Sequence, residues 1–296
     1  MKTISDYDQE IIQNPNDAEL YRLRGLEYFN IDYDKAMSDF NQSIKINPNC
    51  AETYNSRGCL YRNKNEYNLA VNDFEKSIQL DPNYSRPYFN RGITYFNMDK
   101  KDKALEDFTK TIELDPDNND AYVKRGIVCW TMVMILSFEY DLEEKIETKN
   151  YIANLRNNLI NQAMKDFNHE LEINPNNAIV YINRGGVYYE KEDYDNAIKD
   201  FSQSIKINPE IAEGYLRRGD IYKKLKIFDK ALEDFNKAIQ LNPNDFYIYN
   251  IRANLYFDIS NYQKAIEDWE TSLKLNPDND TAQGIKKMIE RAKRKL

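Results

Sequence analysis

Two columns of opposite charge run the length of the chain. Arginine stands at Arg24, Arg57, Arg91, Arg125, Arg184, Arg218 and Arg252, and aspartate at Asp39, Asp73, Asp107, Asp166, Asp200, Asp234 and Asp268. Seven guanidiniums could form a stripe for anionic ligands, or could pair with the seven carboxylates as a ladder between neighbouring elements. Pairing is the preferred reading, because both columns persist while the side chains around them change. Exposed pairs contribute about 0–1 kcal/mol each, so the ladder is expected to set register more than stability. Little else could react. His169 is the one histidine and has no cluster of partners, so it reads as a polar helix-surface residue. Glu143 and Glu144 read as solvated helix rather than as a general acid and base. Cys50, Cys59 and Cys129 are odd in number and lack metal-like spacing, which fits reduced thiols in a cytoplasmic protein. There is no GxxxxGK[ST] loop, no HExxH and no dinucleotide glycine fingerprint. The residues therefore supply no catalytic constellation, and no cofactor or metal is expected.

What positions these columns is a repeat. Eight of the nine prolines stand at Pro15, Pro48, Pro82, Pro116, Pro175, Pro209, Pro243 and Pro277, with gaps of 33 or 34 residues and one of 59. Such a period marks one structural unit copied along the chain. Aligned on the prolines, seven units begin near Ala18, Ala51, Ser85, Asn119, Ala178, Ala212 and Phe246. Within a unit, tyrosine (Tyr21, Tyr54, Tyr88), glycine (Gly25, Gly58, Gly92) and a second aromatic (Tyr28, Tyr61, Tyr95) follow at i, i+4 and i+7, one face of a helix. A second helix carries a small residue and an aromatic four positions on, from Ala36 and Phe40 to Ala265 and Trp269. Glycine inside a helix costs about 1 kcal/mol, so close approach of the second helix, small residue facing small, is the expected reason for it.

These six recurring positions resemble the tetratricopeptide repeat, from Ala18 to Pro277. The resemblance implies an all-α, right-handed superhelical solenoid of antiparallel helix pairs, with first helices lining a concave groove. The expected segments are 1–17, a degenerate or capping helix; repeats at 18–50, 51–84, 85–118, 119–177, 178–211, 212–245 and 246–279; and 280–296, a basic capping helix. Repeat one is a residue short between its helices, and repeat four carries an insertion at about 130–158.

The net charge of −8 argues against a general nucleic-acid binder, which needs a basic face. No apolar run reaches the roughly 18 residues of a membrane span, and the first residues lack a secretory core. Function is therefore sought on surfaces. Groove positions taken from the resemblance are polar in repeats one and two, and become apolar at Phe89, Ile93, Phe96, Val123, Ile127, Trp130, Ile179, Ile182 and Tyr189. That centre would suit a peptide, or it closes against neighbouring repeats. The basic and asparagine set with which some members grip chaperone tails is incomplete, running Arg22/Leu26, Asn55/Ser56, Arg86/Asn90.

The insertion is the second candidate. It is expected to lengthen both helices of repeat four into a projecting arm, Asp141 capping the second helix with Glu144 three residues on. Leu142, Ile146, Ile152, Leu155 and Leu159 give that helix one apolar stripe. Met132, Ile135, Leu136 and Phe138 are left as an uncovered patch for docking, unless the arm folds into the groove. The final helix sets Ile285, Met288 and Ile289 against Lys286, Lys287, Arg291, Arg294 and Lys295, a cap or else a contact for anionic lipid or nucleic acid. The reading is a non-enzymatic scaffold that binds a partner peptide or protein through groove or arm. Self-association through the arm, a regulatory subunit of an enzyme complex, and an RNA-binding helical array are the alternatives.

Overall fold

Pro48, Pro82, Pro116, Pro175, Pro209 and Pro243 each follow the second helix of a pair. The structure, a computed structural model, describes residues 2–143, 145–276 and 281–296. Glu144, Pro277 and the expected boundary at 279/280 lie outside them. The helices are α1 (Ile4–Gln13), α2 (Ala18–Tyr28), α3 (Tyr33–Ile46), α4 (Ala51–Asn63), α5 (Tyr67–Leu80), α6 (Ser85–Asn97), α7 (Lys101–Leu114) and α8 (Asn119–Leu142). They continue as α9 (Ile146–Ile173), α10 (Ala178–Glu190), α11 (Tyr194–Ile207), α12 (Ala212–Lys224), α13 (Phe228–Leu241), α14 (Phe246–Asp258), α15 (Tyr262–Leu275) and α16 (Ala282–Lys293). All regular structure among the described residues is helical.

Local chemistry fixes the ends. Asp17, Asn118, Asn177 and Asp245 cap α2, α8, α10 and α14 by accepting from backbone N–H groups in the first turn. Between the helices of five pairs one residue takes the left-handed conformation: Asn65, Asp99, Glu192, Lys226 and Ser260, with φ of 59–62°. For a residue with a side chain this costs about 1–2 kcal/mol, so the tight reversal is held by packing on either side. The α2–α3 pair, whose first helix has 11 residues rather than 13, does without it.

Inside a pair, the glycine meets the aromatic of the second helix, not its alanine. A Cβ on Gly25, Gly58, Gly92, Gly185 or Gly219 would stand 2.7–2.9 Å from a ring carbon of Phe40, Phe74, Phe108, Phe201 or Phe235. This corrects the small-against-small expectation: the helix gives up its Cβ to seat a ring. The rings are almost wholly buried, each gaining roughly 2–3 kcal/mol from burial.

The chain divides into two compact units, Met1–Asp166 and Phe167–Leu296. In the first, Tyr7 and Ile11 of α1 pack on Leu20, Phe40 packs with Leu60 of the following pair, and Phe108 packs with Tyr95 and Val128. In the second, Phe201 packs with Ile221, Phe235 with Ile248 and Leu255, and Trp269 with Ile285 and Ile289 of α16. Phe40, Phe108, Phe201, Phe235 and Trp269 thus each join their own pair to the next element.

The insertion lengthens both helices. α8 has 24 residues against 13 in an ordinary first helix, and α9 has 28 against 14. Two details differ from the sequence expectation. Asp141 lies inside α8 and does not cap α9. Leu142 also belongs to α8, and Ile146 at the start of α9 is exposed, so the buried stripe of α9 reduces to Ile152 and Leu159, with Leu155 half-buried.

Candidate protein-binding surfaces

The two charged columns meet. In all seven pairs the arginine Nε and Nη2 donate to the two carboxylate oxygens of the aspartate, at 2.6–2.9 Å. The pairs are not exposed, as the sequence reading supposed: the seven aspartates are buried. In most pairs the remaining nitrogen, Nη1, reaches back to the preceding second helix: to Asp8, Asn41, Thr109, Asn168, Ser202 and Asn236 from Arg24, Arg57, Arg125, Arg184, Arg218 and Arg252. Tyrosine rings flank the guanidiniums, as Tyr88 and Tyr95 do Arg91 at 5.7 Å. With the Nε and Nη2 edge of every guanidinium taken by its aspartate, the column is structural and does not form an anion stripe.

Reactive groups are equally muted. Burial pushes the half-buried Cys59 thiol up to about 11 and the buried Cys129 thiol up to about 12. Among the described residues no group of three His, Cys, Asp or Glu side chains could hold a metal ion.

In the first unit, Phe89, Ile93 and Phe96 are half-buried against the Phe108 cluster, and the Phe89 ring centroid is 5.8 Å from that of Phe108. Val123, Ile127 and Trp130 are half-buried along α8. Phe89, Ile93 and Phe96 are thus partly committed to packing within their own unit. Beside them runs a polar chain that sequence reading treated as separate positions: Arg62 Nη1 donates to Asn90 Oδ1 at 2.9 Å, and Asn90 Nδ2 donates to Asn55 Oδ1 at 2.9 Å. In the second unit, Ile182 and Tyr189 are half-buried against the Phe201 cluster, and Ile179 is exposed. Tyr189 meets Tyr194 edge-on at 5.8 Å, with the Lys224 ammonium over both rings.

The arm carries the larger apolar exposure. Met132 is half-buried and packs in part against the Phe108 cluster. Ile135 is exposed and Leu136 half-buried; both line a surface cavity of about 720 Å³ with Met132 and Leu155, rimmed by Lys100 and Lys101. Farther out, Phe138 is 67% exposed, Leu142 65%, Ile146 77% and Tyr151 68%. Only Phe138 of these four was singled out from sequence as uncovered. Leu142 differs from the sequence expectation because it belongs to α8, and Ile146 because it is exposed at the start of α9 rather than in a buried stripe. By length and composition α8 could cross a bilayer. Its inner half is instead built into the core, with Val128 and Val133 buried and Arg125 tied to Asp166.

Comparison with known families decides the class. A family model described as tetratricopeptide repeat matches residues 51–84, 85–118, 212–245 and 246–279; a second of the same description matches 19–50; and a TPR repeat model matches 185–226. Together these segments cover more than half of the chain. It belongs to the tetratricopeptide repeat family. The elongated α8–α9 pair of this tetratricopeptide repeat protein falls outside the matched segments. No curated protein matches the sequence. Among solved structures, the APC/C hetero-tetramer Cut9–Hcn1 is similar at 18% identity and a TM-score of 0.63 over 98% of this chain, which spans about half (52%) of the chain it matches. A tetratricopeptide repeat protein from Parabacteroides merdae ATCC 43184 matches at 15% identity and 0.63, covering 94% of this chain and 99% of its own. YrrB, described as a TPR protein with an unusual peptide-binding site, matches at 20% identity and 0.54, covering 69% of this chain and 92% of its own. At these identities the likeness is one of fold, and the fold is that of a protein–protein interaction scaffold.

Proposed function

We propose that this protein is a non-enzymatic scaffold that docks a partner protein on the α8–α9 arm, with the first-helix face of the second unit taking a peptide segment. The observation that carries the reading is the exposed apolar group Phe138, Leu142, Ile146 and Tyr151 at the end of the arm. Apolar surface of this kind, held out on paired helices, gains by being covered. The buried ion pairs, and the Cys59 and Cys129 thiols held protonated by burial, support a surface rather than a reactive role for the described residues. Three unpaired cysteines support a reducing, cytoplasmic setting.

The test is removal of the arm in register. Deleting residues 132–156 leaves Asn157, Asn158 and Leu159 as the turn, with Asn158 at the position occupied by Asp99 in the preceding pair. Asparagine tolerates the left-handed conformation, so the shortened pair should fold. Loss of a partner from pull-downs, with melting retained, supports arm docking. Loss of dimer mass in light scattering would instead identify a second copy as the occupant, a reading that the same exposed side chains favour. Unchanged partners and mass would overturn the arm as the docking surface.

A further inference from the structure

On the first-helix face of the second unit, the Asp220 carboxylate has no hydrogen-bond or ion-pair partner among the described residues. Asp220 lies at the middle of α12 among three cations of its own helix, and each of them is engaged elsewhere. Arg217 donates from Nε to Glu213 at 2.7 Å, Lys223 reaches Asp258 of α14 at 3.9 Å, and Lys224 lies 5.3 Å and 5.0 Å over the rings of Tyr189 and Tyr194. Asp220 is half-buried, and a carboxylate drawn partly out of water with no hydrogen-bond partner gains from a cation that supplies the missing charge.

Its surroundings say what would supply it. Tyr189 of α10 reaches α12, its ring lying 5.3 Å from the Lys224 ammonium one turn beyond Asp220, and Tyr247 of α14 is exposed; the Asp220 charge adds to the burial that pushes both hydroxyls up. Two half-apolar rings beside a lone carboxylate match a cation on an aliphatic stem: the rings cover the methylenes and the carboxylate takes the charge. We infer that Asp220, between Tyr189 and Tyr247, receives a lysine or arginine side chain of an extended partner peptide lying on α10, α12 and α14. This rests on the reading of the first-helix face as a peptide surface. Burial holds the free Asp220 carboxyl up at about 6, against the pull of Arg217 and Lys223 and with the push of Glu213. A bound cation would draw it down, so preference for a basic residue should fade as the solution is taken below that value.

The experiment uses the intact chain and its Asp220→Asn variant, which keeps the shape and removes the charge. Random peptides displayed on phage are selected against each. A peptide enriched on the intact chain is then synthesised with its basic residue kept or replaced by norleucine, and titrated calorimetrically. Selection on the intact chain should enrich Lys and Arg at one position, and selection on Asp220→Asn should not. The norleucine peptide should bind the intact chain about tenfold more weakly, and Asp220→Asn should not distinguish the two peptides. Enrichment without a basic residue, or equal discrimination by Asp220→Asn, would overturn the assignment while leaving the peptide surface standing. If neither protein retains any peptide, the peptide-surface reading falls and takes this inference with it.

Discussion

Arg125 and Asp166 are 41 residues apart in sequence, yet they form the same two-pronged pair, at 2.9 and 2.8 Å, that Arg91 and Asp107 form across 16 residues at 2.9 and 2.8 Å. The insertion in α8–α9 therefore leaves the framework of its pair untouched, and everything it adds lies beyond that contact. Thr109, which receives the third arginine nitrogen, is placed as its counterparts are elsewhere.

Because Asp166 is fully buried and also accepts from Gln162 Nε2 at 2.8 Å, removing its partner leaves a charge stranded inside the protein. Arg125→Ala should cost about 3–5 kcal/mol. The double change Arg125→Met with Asp166→Leu should cost less than Arg125→Ala alone. Urea melts of the variants measure this, and a double variant as unstable as the single one would contradict it.

Two glycines in helices should respond oppositely to alanine. At Gly92 the new Cβ would stand 2.9 Å from a ring carbon of Phe108, so overpacking of about 1–3 kcal/mol outweighs the gain in helix propensity. At Gly284 in α16 nothing lies within 4 Å, and Gly284→Ala should stabilise by about 0.5–1 kcal/mol. Thermal denaturation of each variant reads the sign directly.

Of the three thiols, only Cys50 should react readily in the folded protein. Cys59 and Cys129, pushed up to about 11 and about 12 by burial, are almost entirely protonated near neutrality. A chromogenic disulfide reagent should release close to one equivalent quickly, and three after denaturation. Cys50→Ser should abolish the fast phase.

Asp220 also predicts a pH dependence of stability. Its folded value of about 6 lies above the ordinary 3.8, so folding favours the protonated form. Its contribution is fully present below 3.8 and is lost as the pH rises through 6. Asp220→Asn should therefore melt higher than the intact chain at neutral pH, and the advantage should shrink on acidification toward about pH 4. Parallel melting curves across that range would refute it.

The helix pairs were legible from residue types alone, because proline, the glycine–aromatic match and the capping residues each act within a few positions. The starts at Ala51, Ser85 and Ala212 fall where those signals place them. The partner of each glycine was not legible: alanine and phenylalanine share one face of the second helix, and only depth of packing decides between them. The arginine–aspartate pairing was readable, but its burial was not, since burial comes from the tyrosines and the preceding helix. At the arm, Asp141 and Leu142 were assigned to the wrong helix because an apolar run followed by acids gives no sharp stop. The isolation of Asp220 could not be read from sequence either, because Arg217, Lys223 and Lys224 all stand at helical spacing to neutralise it and their actual choices depend on other helices.

The two tryptophans fall one to each unit: Trp130 is half-buried in the first, and Trp269 is wholly buried in the second, with its ring 5.7 Å from that of Phe257. Their emission is a built-in optical label for each half. With Trp130→Phe or Trp269→Phe, the intrinsic fluorescence of one half can be followed alone while the chain is denatured or a ligand is added.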